Sequence, residues 1–443
     1  MKNTSVPALL LLAATVAIWS ASLFGPFQYD DWNVIVDQPA VHSLAAWWAS
    51  MPGIRPLLKL SYAIDWTSGG GAFGFHLTNL LLHALNVLLV WQILTRWPGL
   101  SREASAKVAF WAALVFALHP VQGESVAYVS GRSMTLMATF WLAAFFAWLR
   151  ADETGERSWR FAAVACFAAA LAVRETALSL PVALWIWQRA HGVEWRLALR
   201  RLWPLWGMLA IGLAALLALP AYRRLLLYSL DIHTPIDNLA AQADAYAYLF
   251  TRPLLLLETS IDPDPVRHSA GSLAWWGISA SLCALLAAGF ALISRRPLWG
   301  LTILWPFALL WPTNSLIARL DLVADRHLYL ALIGPALALA VVLRRSAWPR
   351  AAPGLLALGL ALAALQRGQD FSTESALWTA TASTSPNKAR VWNNLGYGKL
   401  VEGDPVGAAQ AFRRALAIDP NYARASVNLE RAEAEAGQPA SRR

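Results

Sequence analysis

Long apolar runs separated by short polar connections fill most of the chain. They fall near residues 6 to 24, 75 to 95, 106 to 118, 133 to 149, 159 to 173, 176 to 190, 202 to 219, 271 to 293, 298 to 312, 327 to 343 and 350 to 366. A hydrocarbon layer takes about 20 apolar residues in helix, and backbone polar groups inside it must pair within the segment. The pattern predicts an all-α, polytopic membrane protein of about eleven transmembrane helices, several of them short. The stretch 245 to 257 is apolar but too short to span, and it reads as a re-entrant or interfacial helix.

The pattern changes near residue 367, and from Lys388 it becomes that of a helical repeat. Trp392, Leu395 and Gly396, then Ala408, Phe412, Ala415 and Pro420, fall at the spacings of a 34-residue helix-turn-helix unit of the tetratricopeptide type. Gly396 and Ala408 are small where two helices must approach, and Pro420 follows the second helix where it can end it. Lys399 stands where an aromatic is usual. Trp378 and Pro386 fit the second half of an earlier unit, and Ala423 to Glu435 fits the first helix of a following one. The expected organisation is a membrane portion over 1–366 and a repeat tail over 367–443. Such a tail serves as a docking groove for a protein partner or as a cap packed on the membrane portion.

Composition agrees with lipid as the solvent, since 57% of the 443 residues are hydrophobic and 14% are charged. The net charge of +9 comes from Lys and Arg scattered between apolar runs. No basic stripe is interleaved with aromatics, which argues against nucleic acid as a partner. Cys166 and Cys283 lie apart inside apolar runs and indicate neither a disulfide framework nor a thiolate metal site. Tryptophans near the ends of runs, such as Trp97, Trp148, Trp195 and Trp203, fit interfacial anchors.

Charge also assigns sides. Arg96, Arg102 and Lys107, then Arg150, Arg157 and Arg160, then Arg189, Arg196, Arg200 and Arg201, then Arg295 and Arg296, then Arg344, Arg345 and Arg350 occupy alternate loops. By the positive-inside rule those loops are cytoplasmic, which places the N-terminus inside and the tail outside. Residues 1 to 24 also have the layout of a cleaved signal peptide, with Lys2 before the apolar run and Ser20, Ala21 and Ser22 after it. Removing it would leave an even number of spans and upset the charge pattern. The opposite loops hold Asp30, Asp31, Arg55, Lys59, His119, Glu124, Arg132, Arg174, Glu175, Asp262, Asp264, Arg319, Asp321, Asp325, Arg326 and His327. Ionisable groups at span ends face cavities or one another, because lipid does not solvate them. Glu124, Arg132, Arg174 and Glu175 lie within a few residues of apolar spans; the other charges could equally be solvated loop residues.

The ordered motifs resemble one family. The first outer loop reads Gly25-Pro-Phe-Gln-Tyr-Asp-Asp-Trp-Asn-Val-Ile, followed by Arg55-Pro-Leu and Phe75-His-Leu-Thr-Asn-Leu-Leu-Leu-His-Ala-Leu-Asn. His119-Pro-Val-Gln-Gly-Glu-Ser-Val, Gly131-Arg-Ser, Arg174-Glu175-Thr-Ala and Ala324-Asp-Arg-His-Leu-Tyr-Leu come later, and the repeats end the series. This order is similar to that of the transmembrane-and-tetratricopeptide-repeat O-mannosyltransferases and their bacterial relatives, within the C-type membrane glycosyltransferase superfold. The chain departs from that pattern at Arg174, where lysine is usual, at Asp325, where glutamate is usual, and at Ser133-Met134, where an acidic residue often follows Gly-Arg.

The resemblance implies a sugar, mannose or another hexose, carried on a polyprenyl phosphate. It would be transferred with inversion to a hydroxyl of a protein or glycan acceptor on the extracytoplasmic side. An acceptor hydroxyl needs a general base, and an oxocarbenium-like transition state gains from nearby negative charge. Asp30 and Asp31 answer that demand. Adjacent side chains point apart, so one faces the acceptor; Asp30 is preferred, with Asp31 orienting an arginine or the loop. An acidic helix cap is the alternative role for the pair. The departing phosphate needs charge stabilisation, for which Arg132, Arg174 and Arg326 are candidates, with His119 and His327 as hydrogen-bond donors. Glu124 and Glu175 would orient the arginines or form structural ion pairs between helices.

No cofactor is implied. Asp262-Pro-Asp264 has the spacing of a metal-binding pair, but a monophosphate donor needs no cation and Pro263 makes an ordinary turn, so no metal is assigned. Gly69-Gly70-Gly71 reads as a flexible loop. A membrane-anchored scaffold that recruits partners through its repeats is the competing reading, and it predicts dispensable aspartates. A transporter would show inverted repeats and charges at mid-membrane, which the sequence lacks. Basic composition with long apolar runs and a short tail suggests a bacterial inner-membrane protein facing the periplasm.

Overall fold

The computed structural model describes residues 5–220, 222–224, 227, 235–252, 259–315, 321–345 and 349–437, and every regular element in them is helical. Arg319 and residues 253–257 of the apolar stretch expected to lie at the interface are outside the described residues. Helices of eleven residues or more are numbered here in chain order. The first six are α1 (Ser5–Trp19), α2 (Pro56–Ser68), α3 (Gly71–Leu94), α4 (Arg102–Leu118), α5 (Arg132–Thr154) and α6 (Arg157–Val173). Next come α7 (Leu180–Ala190), α8 (Trp203–Ala218), α9 (Pro235–Thr251), α10 (Leu273–Leu292), α11 (Pro297–Leu310), α12 (Ile333–Arg345) and α13 (Ala352–Asp370). The tail holds α14 (Glu374–Thr384), α15 (Ala389–Val401), α16 (Pro405–Ile418) and α17 (Ala423–Ala436).

Among the described residues, four helices are long and apolar enough to cross a membrane: Ser5–Phe24, Gly71–Leu94, Val129–Thr154 and Leu273–Leu292. Two bent pairs raise that number to six if each is one span: Glu103–Leu118 with Pro120–Val126, bent by 53°, and Asp325–Ala331 with Ile333–Arg344, bent by 60°. The sequence reading of eleven counted apolar runs, and several of those runs make helices too short to cross alone. At 1.5 Å per residue, α7 is only about 16 Å long against a hydrocarbon core of about 30 Å. The first bend has a local cause, since Pro120 excludes the helical conformation at His119, whose ψ is 128°.

Helix α3 is the organising element, with α1, α4 and α5 packed around it. His76, Asn79, His83 and Asn86 follow one another at spacings of three, four and three and therefore share one helix face. All four are buried. Asn79 Nδ2 donates to the Tyr128 carbonyl at 3.0 Å, and Asn86 Nδ2 donates to the Thr135 carbonyl at 2.9 Å. His83 Nδ1 lies 2.7 Å from the Tyr329 hydroxyl. Polar groups across helix interfaces hold a bundle in register where lipid removes the hydrophobic drive to associate.

The tail sits on one end of the bundle. Tyr128, Ile261, Phe371, Leu377, Trp378 and Val391 form a joint apolar cluster. Asp262 strengthens the junction: it accepts from Lys388 Nζ at 2.8 Å and from Arg390 Nε at 2.7 Å, while Arg390 also reaches Asp321 at 2.6 Å. Within the tail, consecutive helices pack on one another. A Cβ on Gly396 would stand 2.6 Å from the Phe412 ring, so α15 and α16 meet as closely as the small residue allows.

Gly131 shows how tightly the start of α5 is built. A Cβ there would lie 2.1 Å from the Glu124 carbonyl oxygen, and backbone cannot move aside as a flexible side chain can. Gly131→Ala is expected to lose about 2–4 kcal/mol of stability, within the range of core overpacking and its strain. Thermal melting of the detergent-purified protein followed by size exclusion checks this; an unchanged melting temperature contradicts the packing.

Candidate active site

The loop from Gly25 to Asp31 carries the acidic pair, and its path is fixed from both sides. A Cβ on Gly25 would lie 3.0 Å from the Phe371 carbonyl and 3.3 Å from His76 Nε2, so the chain slips between tail and bundle. Gln28 Nε2 donates to the Phe371 carbonyl at 2.9 Å. The Tyr29 amide donates to Glu374 Oε2 at 3.0 Å, and the other Glu374 oxygen accepts from Trp378 Nε1 at 2.7 Å. Tyr29 packs edge-on against Trp378 with ring centroids 5.0 Å apart.

The two aspartates have different surroundings. Asp31 is buried and its carboxylate is occupied: Oδ2 accepts from the Gln28 amide at 3.0 Å, and Oδ1 accepts from both the amide and the hydroxyl of Ser130. Burial pushes its carboxyl up to about 7 against the pull of those hydrogen bonds. Asp30 is half-buried, and its amide donates to the Tyr128 hydroxyl at 2.9 Å. Among the described residues its carboxylate accepts no hydrogen bond. Burial raises the Asp30 carboxyl above the ordinary carboxylate range, opposed first by the charge of Arg326.

Arg326 is held by Glu124. Its backbone amide donates to Glu124 Oε2 at 2.8 Å and its guanidinium donates to Glu124 Oε1, with Glu124 only 1% exposed. The Arg326 side chain keeps 25% of its surface open. Asp30, Glu124 and Arg326 thus form one electrostatic group, which Asp321 and Arg390 of the tail junction also join.

A second group adjoins it. Arg55 grips Glu175 with both arms of its guanidinium, at 3.2 and 2.9 Å, and it feels the charge of Arg326. Arg174 Nη1 donates to Ser133 Oγ at 2.6 Å, and its charge reaches Glu175. His327 lines a small cavity with Met134, Met137, Thr176, Ser179 and Thr313. His119 is buried, with Nδ1 accepting from the Val121 amide at 3.2 Å where it caps the turn at Pro120.

Arg132 is placed differently. It is fully buried, donates to Asn79 Oδ1 at 2.8 Å and the Phe75 carbonyl at 2.8 Å, pairs with Asp65 at 2.6 Å, and lies over the rings of Tyr62 and Phe75. It ties α2, α3 and α5 together. Asp262 is likewise consumed, by Lys388 and Arg390. Among the described residues, no group of three or more His, Cys, Asp or Glu is gathered to hold a metal.

Reasoning from sequence did not give Arg55, Tyr128, Ser130, Glu374 and Arg390 roles at the site. Arg55 had one usable signal, a lone arginine before proline in an outer loop. Its φ is +52° and that of Tyr29 is +49°; these are the non-glycine residues with positive φ among the described residues. One precedes Asp30 and the other holds Glu175. Left-handed backbone at non-glycine residues concentrates where surrounding contacts over-determine a functional geometry.

The site is a cluster of carboxylates and arginines at the tail end of an all-helical membrane bundle. The chain is homologous over most of its length to protein O-mannosyl-transferases. It is 22% identical over 454 residues to the protein O-mannosyl-transferase F38B6.6 of Caenorhabditis elegans, covering 94% of this chain and 63% of that protein. A shorter stretch is 33% identical over 168 residues to the protein O-mannosyl-transferase TMTC4 of Homo sapiens, covering 32% of this chain and 23% of that protein. The chain therefore spans less than two thirds of either relative. No family model matches. Among solved structures, ArnT from Cupriavidus metallidurans bound to undecaprenyl phosphate gives a TM-score of 0.42 at 14% identity, covering 99% of this chain and 79% of that one.

Glu374→Ala removes the acceptor of the Tyr29 amide. Hydrogen exchange over residues 28–31 is expected to rise about tenfold, the equivalent of about 1.4 kcal/mol for a hydrogen bond to a charged group. Asp404→Ala, at a distant helix cap of the tail, serves as the control and leaves exchange there unchanged. Equal exchange in Glu374→Ala and wild type would show that the tail does not hold the loop.

Proposed function

We propose that the protein is an integral-membrane glycosyltransferase that moves a sugar, mannose or another hexose, from a polyprenyl-phosphate donor to an acceptor hydroxyl on the extracytoplasmic side. The observation carrying this reading is the half-buried Asp30 carboxylate, which accepts no hydrogen bond among the described residues and sits within the field of an arginine whose own carboxylate partner is buried. Homology to the O-mannosyl-transferases supports the same chemistry.

In this reading Asp30 takes the proton of the acceptor hydroxyl as its oxygen bonds to the anomeric carbon. The bond from that carbon to the phosphate oxygen breaks on the opposite face, so configuration inverts. Arg326 receives the developing phosphate charge, with Arg55 and Arg174 further along the same belt. Glu124 and Glu175 orient Arg326 and Arg55. Asp31 holds the loop through Ser130 and Gln28, so it acts by positioning. His119 and His327 shape the surrounding turns, and Arg132 has a structural role. The helices after residue 367 are read as tetratricopeptide units that close over the loop.

Because burial raises the Asp30 carboxyl, sugar transfer is expected to increase with pH through an ionisation above the ordinary carboxylate value of about 4. Asp30→Asn is expected to reduce transfer by at least 10²-fold and to abolish that limb. Arg326→Lys is expected to reduce turnover by about tenfold or more without abolishing binding of the lipid phosphate. Transfer by the purified protein from a synthetic polyprenyl-phosphate sugar checks all three. Undiminished transfer in Asp30→Asn would remove the catalytic assignment, and wild-type function without any transfer would favour a scaffold.

A further inference from the structure

Three helices meet at the end of the bundle away from Asp30. Helix α4 begins there and ends at Leu118, next to His119; α12 ends there at Arg345. Helix α13 begins there and runs toward Phe371, whose carbonyl takes the Gln28 side chain. Both α12 and α13 pack on α4. Between them lies a cleft of about 140 Å³, walled by Trp111 and Leu114 of α4, Leu343 of α12, and Leu356 and Ala357 of α13. A second hollow of about 250 Å³ shares Val108 and Arg344 with the cleft and reaches Ser101, the N-cap of α4.

Two cations line this otherwise apolar cleft. Lys107 and Arg344 are exposed, and among the described residues neither side chain has an ion pair or a hydrogen bond. Glu103, the acidic residue in the first turn of α4, pairs with neither. Arg96 and Arg160 of the other basic loops are by contrast matched, by Glu153 and Asp152. Beyond the cleft the surface of α12 and α13 stays apolar and open, with Leu339, Leu355, Leu358 and Leu362 exposed. The cations therefore stand where an apolar track along two helices reaches the end of the bundle.

We infer that this cleft binds one anionic glycerophospholipid of the bilayer, with its phosphate at Lys107 and Arg344 and an acyl chain in the apolar cleft. A basic pocket between helices at the end of a bundle answers an anionic headgroup, and the partial positive charge at the start of α4 adds to it. A soluble phosphate would leave the apolar walls uncovered, and a zwitterionic lipid brings its own cation to the phosphate. The site is separate from the one assigned to the sugar donor, since Arg326 lies beyond the bend that precedes α12. The bound lipid bridges α13 to α4 and α12, and α13 leads into the tail that clamps the acidic loop. The inference does not depend on the glycosyltransferase reading.

The test is native mass spectrometry of the delipidated full-length protein in detergent, titrated with dioleoyl phosphatidylglycerol or dioleoyl phosphatidylcholine. Wild type should bind the first phosphatidylglycerol about tenfold or more tightly than phosphatidylcholine. A cation beside an anionic headgroup is worth about fivefold in binding, so Lys107→Gln with Arg344→Gln should weaken phosphatidylglycerol by about 25-fold. Arg200→Gln with Arg201→Gln, exposed on another basic loop, should keep the wild-type preference. Ala357→Phe fills the cleft while both cations remain, and it should also weaken phosphatidylglycerol about tenfold or more. Equal affinity of wild type for the two lipids, a result that needs no variant to fold, would overturn the inference. Unchanged affinity in either cleft variant would overturn it too, as would displacement of the lipid by inorganic phosphate or tighter binding of a polyprenyl phosphate. Sugar transfer is not the readout, so failure here leaves the assignment of Asp30 as it stands.

Discussion

An ionised side chain at the edge of an apolar bundle must be paired or must face water, and that constraint sorts the charges of this chain. Glu124 is matched by Arg326, Asp65 by Arg132, Glu175 by Arg55 and Asp262 by Lys388 and Arg390. Asp31, next to Asp30, is satisfied by hydrogen bonds from Ser130 and Gln28. These pairs fix the ends of separate helices against one another, and they leave Asp30 half-buried beside a cation that already has a partner. The reactive character given to Asp30 follows from the satisfaction of its neighbours.

The tail belongs to the same construction. Its first helices accept the Tyr29 amide, pack Trp378 against Tyr29 and neutralise Asp262. The acidic loop is thereby clamped between α3 and α14, and Ser130 at the head of α5 anchors its carboxylate side. The clamp uses Phe371, Glu374, Trp378 and, on α15, Arg390.

Much of the architecture was legible from periodicity. The apolar runs mark the helices; Glu124 stood out as a charge close to an apolar span, and the acidic pair and Arg326 could be named as site candidates from the ordered motifs that resemble the O-mannosyltransferases. Long-range partners were not legible. Nothing local distinguishes Arg132, which is consumed by Asp65 and Asn79, from Arg326, which stays partly open, since both follow small or acidic residues at the start of a helix. The inequality of Asp30 and Asp31 depends on Ser130, about 100 positions away in the chain. Arg55 and Glu374 lie on elements whose sequence predicts only a turn and a helix start, and their importance comes from what the fold brings to them. Apolar composition marks burial in lipid or in protein alike, so short apolar helices such as α7 read as spans from sequence.

The central claim is that the acidic loop, the Arg326 segment and the tail meet on one face of the membrane. The most direct measurement is labelling of single cysteines with a membrane-impermeant thiol reagent in sealed vesicles of known orientation. Asp30→Cys, Asp321→Cys and Arg390→Cys would be placed in a chain whose Cys166 and Cys283 are replaced by serine. The account predicts that all three react from the same side, the one opposite the arginine-rich loops. Reaction of Asp30→Cys from the side opposite to Arg390→Cys would contradict it.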